Sequence, residues 1–387
     1  MANIKKLLIV GLMISLLAVL GGCSPKSGQA SETPADSGTA NDTKTVEINT
    51  DEDSLSLDDV TEVEEPAIDL TGKAKAPLTG LYVDESLIGQ RPIVAMLDNH
   101  FGARPQAGLK DADIIYEILA EGNITRYMAV FQSAMPENLG PIRSARPYYI
   151  SRALEYDPYY VHVGGSEQAK KDIKALNMAD IDGLSSGSNV FWRLKHKRIP
   201  HNMYSNASVI IKEGDRKGYR TEVSYDTLKF KDAVESINGS ACIGLDVIYI
   251  QPTTRDKDGY HVGFVYNEET KLYERLVNGK PYSDENDGTE LAVTNVIVQY
   301  ASHKVLDSEG RLEVGIIGSG DGYYISAGEI IKMTWKKADR SSLTRYYNEN
   351  GEELALNPGK SWIQVVPSTR YNDENWVKFD SGEVEAE

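Results

Sequence analysis

The sequence predicts an α/β (α+β) domain over residues 80–232, followed by a β-rich domain over residues 233–387. Before residue 232, short apolar runs alternate with capped, amphipathic stretches, which is typical of strands and helices packed in layers. After it, short apolar runs recur between turn dipeptides such as Asn278-Gly279, which is typical of strands joined by tight turns.

The N-terminal domain is expected to open with a buried strand and a hairpin. The apolar run 92–97 ends at Asp98, where polar turn residues begin. Two further apolar runs, 114–120 and 124–131, flank a Glu-Gly-Asn turn, so we predict a hairpin, with a helix for the first run as the alternative.

Two helices and a strand follow. Residues 144–154 are predicted to form a helix that Ser144 caps, and residues 159–163 a strand that Gly164-Gly165 ends. Ser166 is a suitable N-cap for a helix over 167–176, in which acidic residues precede basic ones.

The C-terminal domain is expected to be a sheet or a sandwich. Cys242 stands in an apolar-leaning stretch and is expected to be a small buried hydrophobic residue. The apolar runs that predict strands are 245–250, 260–266, 272–277, 292–300, 312–317, 322–325, 330–335 and 362–366.

Residues 1–22 have the pattern of a lipoprotein signal peptide. Two lysines precede an apolar run over 7–20, which is about 14 residues against the roughly 20 that a spanning helix needs. Two glycines then precede Cys23, so we expect Cys23 to carry lipid, such as palmitate, at the extracytoplasmic face of the bacterial cell membrane. A plain secretory signal with a chance cysteine, or a short uncleaved anchor, is the alternative.

Residues 23–79 are expected to be an acidic, disordered tether. The stretch 24–76 contains thirteen Asp or Glu and four Lys. Its net charge of -9 is about half of the formal charge of the chain, which is -17. Such a segment has too little apolar surface to offset its conformational entropy.

Arginine and glycine residues predict a site for a phosphate or carboxylate. Arg143 and Arg146 stand three apart beside a turn, and guanidinium groups bind such anions through paired hydrogen bonds. We therefore expect these arginines and the helix start at Gly164, Gly165 and Ser166 to bind a ligand. An ordinary solvated surface is the alternative.

A second candidate cluster follows the first strand. Asp98, Asn99 and His100, with Arg104 nearby, suit acid-base chemistry or a hard metal ion, although Asp-Asn is also a common loop opener. His201 and Asn202 follow a run of four cations in residues 193–198, which suits an anionic polymer, lipid headgroups or an acidic partner, unless it is a solvated loop.

Two carboxylates flank the predicted hairpin turn. If Glu117 and Glu121 share one strand face, Arg126 on the partner strand could bridge them. A cross-strand ion pair is one interpretation, and a catalytic carboxylate pair is the other.

The sequence lacks several familiar motifs, including a P-loop, a dinucleotide fingerprint and paired zinc ligands. We therefore expect no cofactor and no metal. Aromatic residues that could stack on bases are sparse around the basic run, so nucleic acid is not an expected partner.

Seven stretches of the sequence resemble a known family: 91–99, 116–117, 121–122, 125–126, 140–146, 200–202 and 357–362. They are similar to the YerB-like lipoproteins, a bacterial envelope family assigned to a domain of unknown function with a separate C-terminal partner domain. The resemblance implies no established reaction. A weaker likeness in layout is to the LytR-CpsA-Psr phosphotransferases, whose Pro-Arg-Asp signature is missing here.

These observations lead to three functional hypotheses. The first is a lipid-anchored envelope protein that binds an anionic cell-wall or glycopolymer ligand. The residues expected to bind this ligand are Arg126, Arg143, Arg146, Gly164, Gly165, Ser166, Asn99 and Asn202. The second is a phosphotransferase or hydrolase acting on lipid-linked envelope precursors, with candidates Asp98, Glu117, Glu121 and His201. The third is a non-catalytic scaffold for another envelope protein.

Overall fold

The computed structural model describes residues 69–254 and 257–382. The predicted signal peptide, Cys23 and the tether as far as residue 68 lie outside the described residues. Within the described end of the predicted tether, Lys73–Lys75 forms a strand, and Ala76 and Leu78 are buried.

The N-terminal half alternates strands and helices as predicted. Short 3-10 helices lie at Glu85–Leu87, Phe101–Ala103, Leu109–Asp111 and Glu121–Asn123. The remaining elements are β1 (Lys73–Lys75), β2 (Tyr82–Asp84), β3 (Ile93–Asp98), β4 (Ile114–Leu119), β5 (Thr125–Phe131), α1 (Pro147–Ala153), β6 (Tyr159–His162), α2 (Glu167–Ala175), β7 (Ala179–Asp182), β8 (Trp192–Arg193), β9 (Met203–Tyr204), α3 (Ala207–Arg216) and β10 (Lys229–Phe230).

The described C-terminal half is made of strands, apart from a 3-10 helix at Ser368–Arg370. Its strands are β11 (Ser240–Ala241), β12 (Gly244–Ile250), β13 (Tyr260–Asn267), β14 (Leu272–Val277), β15 (Lys280–Pro281), β16 (Ala292–Val293), β17 (Asn295–Ala301), β18 (His303–Val305), β19 (Leu312–Val314), β20 (Gly318–Ser326), β21 (Glu329–Lys337), β22 (Arg345–Tyr347), β23 (Ala355–Leu356), β24 (Ser361–Pro367) and β25 (Val377–Asp380). The predicted fold class is confirmed.

One large sheet joins the two halves. Its strand order is β11-β21-β20-β17-β24-β4-β5-β3-β6-β7, with β22 paired to β21. The join lies at β24, which pairs in parallel with β17 on one side and with β4 on the other. The sheet therefore runs across the predicted domain boundary at residue 232.

The two faces of the large sheet carry separate hydrophobic cores. In β3, alternate residues point to opposite faces, so Ala95 joins one core and Met96 the other. The first core includes residues of α3 and of the second sheet, whose order is β15-β14-β13-β12-β25. The second core includes residues of α1 and α2. Cys242 is fully buried in the first core, as predicted, and burial raises the pKa of its thiol to about 12.

Two local predictions differ in outcome. The hairpin is confirmed, because β4 and β5 pair in antiparallel register around the turn at Glu121–Asn123. The helix predicted over 144–154 begins instead at Pro147, with Arg146 at its N-cap position, so Ser144 is not its cap. Pro147 accounts for this start, since proline favours the first turn of a helix.

None of the helices in the described part of the chain is long and apolar enough to cross a membrane.

Candidate functional site

An open cleft of about 420 Å³ lies where β3 ends and α2 begins. It brings together nine polar residues that the sequence analysis discusses, taken from five separate segments of the chain. The cleft is lined by Asp98, His100, Ala120, Glu121, Ile124, Arg126, Arg143, Ser144, Arg146, Gly165, Ser166, His201, Glu309 and Arg311.

Arg143 is positioned by an extended segment that borders β3. The parallel strand β6 pairs only with Ile93–Ala95, at the start of β3. Beyond Ala95, the segment 141–145 pairs with β3 in place of β6. Asp98 N donates to Pro141 O at 2.8 Å, and Arg143 N donates to Met96 O at 2.8 Å. This backbone pairing fixes Arg143 at the carboxyl end of the sheet, where ligands bind in many open α/β folds.

Glu121 joins two of the arginines. Its Oε2 accepts from Arg126 Nη2 at 2.9 Å, and its Oε1 accepts from Arg146 Nε. Burial acts to raise the pKa of Glu121, but the hydrogen bond from Arg146 and the charge of Arg126 outweigh it, so the pKa lies below its usual value. Glu121 is therefore held as a carboxylate that orients both guanidinium groups.

Asp98 and His201 form a dyad. Asp98 is buried, and its Oδ2 lies 2.6 Å from His201 Nδ1 and 3.5 Å from Arg143 Nε. The carboxylate accepts a hydrogen bond from Nδ1, and His201 Nε2 has no hydrogen-bond partner among the described residues. Nε2 is therefore available to form a hydrogen bond with a ligand.

His100 stacks on His201. The ring centroids are 4.1 Å apart and the planes differ by 7°. Burial and the adjacent His201 lower the pKa of His100. His100 Nδ1 accepts from Gly102 N at 3.0 Å, so the ring is neutral with its proton on Nε2. His100 thus holds the His201 ring in place without adding charge.

The cleft contains hydrogen-bond donors that the described part of the protein does not use. The Arg143 side chain pairs with Asp98 through Nε, and its two terminal nitrogens have no hydrogen-bond partner among the described residues. Arg146 Nη1 donates to Ala145 O at 2.7 Å, while its Nη2 has no partner among residues 69–254 and 257–382. Terminal guanidinium nitrogens facing an open cleft can bind a phosphate or carboxylate.

The second predicted helix also borders the cleft. Ser166 caps α2 as predicted, accepting from Ala169 N at 3.2 Å, and Gly165 lies beside it in the cleft wall. Gly164 lies behind the wall, where its N donates to Asp182 Oδ1 and its positive φ of 63° favours glycine.

Three other predicted site residues support the cleft from outside its lining. Asn202 is buried and fastens the basic loop, donating to Leu194 O and Lys197 O. Asn99 is buried, accepts from Arg104 Nε at 2.9 Å, and donates to Thr125 Oγ1.

Glu117, the third, does not share the position of Glu121. It belongs to a buried cluster, called here the sealed cluster, formed by Asn99, Glu117, Thr125, Tyr260, Arg275, Trp362 and Gln364. Arg275 Nη2 donates to Glu117 Oε2 at 2.8 Å, and both side chains are completely buried. The prediction that Arg126 bridges Glu117 and Glu121 is wrong, because Glu117 lies on the sheet face of Ile115 and Leu119, opposite to that of Arg126. Arg126 forms an ion pair with Glu121 alone.

Two cleft residues were not predicted from the sequence. Glu309 and Arg311 lie in the loop between β18 and β19, and Arg311 Nε donates to Asp307 Oδ2 at 2.6 Å. No local motif marks this exposed loop; the fold of the other half of the chain brings it to the cleft.

Metal-ligating clusters are not found among residues 69–254 and 257–382, where no three His, Cys, Asp or Glu side chains are grouped to hold an ion. Part of the basic loop is neutralised within the described structure, since His196 and Lys197 both contact Glu285 Oε1, at 2.6 and 2.8 Å.

The family comparison matches both halves of the chain. The N-terminal domain described as protein of unknown function (DUF3048) matches residues 78–220, and the DUF3048 C-terminal domain matches residues 252–363. The chain belongs to the DUF3048 family. The two matched ranges lie on either side of the predicted boundary at residue 232.

Similar proteins agree with this family. The protein named "Putative lipoprotein YerB" of Bacillus subtilis (strain 168) is 34% identical over 300 residues, 77% of this chain and 88% of the relative. The crystal structure of YerB protein from Bacillus subtilis matches with a TM-score of 0.71 at 33% identity, covering 80% of this chain and 100% of that one. The resemblance to the YerB-like family is confirmed, and an envelope-associated lipoprotein is supported.

Proposed function

We propose that this DUF3048 protein is anchored through lipid on Cys23 at the extracytoplasmic face of the cell membrane and binds an anionic ligand of the envelope in its cleft. The ligand class is a phosphate- or carboxylate-bearing cell-wall polymer or precursor. The observation that carries the proposal is the set of unused guanidinium donors of Arg143 and Arg146 in an open cleft.

The balance of charge in the cleft supports an anion. Four arginines line it, against three carboxylates. Each carboxylate is within 4 Å of at least one arginine: Asp98 of Arg143, Glu121 of Arg126 and Arg146, and Glu309 of Arg311. The excess positive charge and the spare donors are left for a ligand.

The test is binding of inorganic phosphate and of a glycerol phosphate oligomer, measured by titration calorimetry on the full chain. Arg143→Ala is expected to weaken binding by about tenfold or more, because a charge-assisted hydrogen bond contributes roughly 1.5–3 kcal/mol. Arg220→Ala is the matched control, since Arg220 is an exposed arginine paired with Asp157 outside the cleft. Unchanged affinity in Arg143→Ala would overturn the proposal.

A second candidate function is a phosphotransferase or hydrolase of lipid-linked envelope precursors. The Asp98-His201 dyad favours it, because a histidine held by a buried carboxylate is suited to general acid-base catalysis. Purified full chain should then cleave a lipid-linked pyrophosphate, and His201→Gln should remove the activity while leaving phosphate binding measurable. A panel of such substrates that stays intact would contradict it.

A further inference from the structure

The most exposed apolar side chains lie close to residues that line the cleft. In the described residues, only five large hydrophobic side chains are more than half exposed: Phe101 at 78%, Ile199 at 69%, Leu184 at 68%, Val305 at 63% and Leu306 at 56%. They come from four separate segments, and each segment is linked to the cleft lining by sequence or by a hydrogen bond.

Two of these residues flank the histidines. Phe101 directly follows His100, and their rings lie 4.0 Å apart between centroids. Ile199 precedes His201 by two residues, in a turn closed by the hydrogen bond from His201 N to Arg198 O at 2.8 Å. One apolar side chain thus stands outside each member of the stacked histidine pair.

The other three lie beside the remaining walls. Asp182 Oδ1 accepts from Gly164 N at 2.7 Å and from Leu184 N at 3.0 Å, which holds Leu184 next to Gly164, the residue before Gly165 of the cleft wall. Leu306 N donates to Arg311 O at 2.8 Å, so Val305 and Leu306 lie at the base of the loop that carries Arg311 into the cleft. We call these five side chains the apolar rim.

Basic side chains accompany the apolar rim. Arg193, Lys195 and Arg198 are exposed on the loop that carries Ile199, although the chain as a whole has a formal charge of -17. Apolar side chains interspersed with Lys and Arg are the composition that binds the surface of an anionic bilayer. A soluble polyanion would satisfy the cations but would leave the apolar rim in water.

We infer that the cleft mouth lies against the membrane and that the anion bound by Arg143 is the phosphate headgroup of a membrane lipid. This inference rests on the proposed anion-binding function and names its ligand. The apolar rim enters the boundary between headgroups and acyl chains, while the guanidinium groups bind the phosphate above it. The acidic remainder of the protein is repelled by the same surface, which favours this orientation.

The test uses the full chain reconstituted in phosphatidylcholine vesicles whose acyl chains are brominated, with or without phosphatidic acid. The reporter is Phe101→Trp, with Ile199→Trp as a second reporter. The native chain has four tryptophans, so the signal is the emission that the introduced tryptophan adds to that of the native chain under the same conditions. A side chain buried about 5–10 Å into the interface approaches the bromines, so we expect this added emission to fall by about half when phosphatidic acid is present. Phe379→Trp, on β25 outside the rim, should not be quenched.

The outcomes separate the two proposals. Quenching that requires phosphatidic acid and is lost with Arg143→Ala supports the lipid headgroup. Binding of inorganic phosphate in solution without quenching of either reporter overturns the membrane inference and leaves the anion site. Quenching that persists with Arg143→Ala overturns entry of the headgroup into the cleft. Absence of both phosphate binding and quenching overturns both proposals.

Discussion

The cleft and the sealed cluster both contain carboxylates and guanidinium groups, but they differ in how many hydrogen-bond donors lack a partner. In the sealed cluster, Glu117 Oε1 accepts from Tyr260 at 2.6 Å and from Thr125 at 2.8 Å, and its Oε2 accepts from Arg275 and Gln364. In the cleft, Glu121 and Asp98 occupy some arginine nitrogens, and others remain available.

The comparison shows that arginine-carboxylate pairs can either stabilise the fold or prepare a site for a ligand. In the sealed cluster both charges are completely buried, so the cost of removing them from water is met by direct pairing and by neutral donors. Arg275 is also packed against Trp362, with its guanidinium carbon 4.5 Å from the ring centroid. Such an arrangement holds the two halves of the chain together, whereas spare donors in an open cleft favour binding.

The largest effect is expected from breaking the sealed cluster. Glu117→Leu should lower the free energy of unfolding by about 3–5 kcal/mol, because it leaves the Arg275 charge buried without its partner. Chemical unfolding monitored by circular dichroism measures this. Glu309→Ala, at the exposed edge of the cleft, is the control and should change stability by less than about 0.5 kcal/mol. Equal effects of the two substitutions would contradict the contrast between the sites.

A double substitution tests what else the sealed cluster contributes. Adding Arg275→Met to Glu117→Leu removes the unpaired charge, but the hydroxyls of Tyr260 and Thr125 and the amide of Gln364 still lose their acceptor. We expect a partial recovery of about 1–3 kcal/mol, since unpaired neutral donors still carry a cost. Full recovery in the same unfolding assay would mean that the neutral hydrogen bonds contribute little.

In the cleft, removing a carboxylate should strengthen binding. Asp98→Asn deletes a negative charge 3.5 Å from Arg143 Nε, so we expect affinity for inorganic phosphate to rise about threefold to tenfold. Calorimetry measures the change, and Glu309→Gln should alter the affinity by less than about twofold because solvent screens it. Weaker binding by Asp98→Asn would show that the hydrogen bond between Asp98 and His201 matters more for affinity than the negative charge of Asp98.

The smallest effect concerns acid stability. Because the folded-state pKa of Glu121 lies below its ordinary value of 4.5, its contribution to stability is present above that pH. The contribution is lost as the pH falls through the folded-state pKa. As the pH is lowered from about 6 to 3, the free energy of unfolding should therefore decrease less for Glu121→Gln than for the native chain. Chemical unfolding at each pH measures this, and an equal decrease in both proteins would contradict the linkage.

Features set by neighbouring residues were predictable from the sequence. The hairpin of β4 and β5 follows from two apolar runs around a Gly-Asn turn, and the α2 cap follows from Ser166 preceding an amphipathic stretch. The arginine segment was also identifiable, since Arg143 and Arg146 are close in sequence. Their common cleft with Asp98, Glu121 and His201 depends on the strand order, which local patterns do not encode.

Features that depend on distant contacts were not predictable. The sequence places Glu117 beside a hairpin turn, in an ion pair or a carboxylate pair, but its partners Arg275 and Gln364 lie 158 and 247 residues along the chain. The contribution of Arg311 likewise depends on a hairpin in the other half of the chain. Alternation of apolar and polar residues shows which side chains of a strand share one face of the sheet, but it does not identify the segment that packs against that face.

The position of β24 has a consequence for how the chain matures. Until Ser361–Pro367 has been synthesised, β4 and β17 each present an open edge where β24 will pair, and such edges can pair with other chains. A partly synthesised chain is therefore at risk of aggregation until almost all of its described residues are present. Because β24 joins β4 to β17, the large sheet forms only after both halves of the chain are present. Truncation before residue 361 would remove β24 and leave the sheet incomplete in both halves.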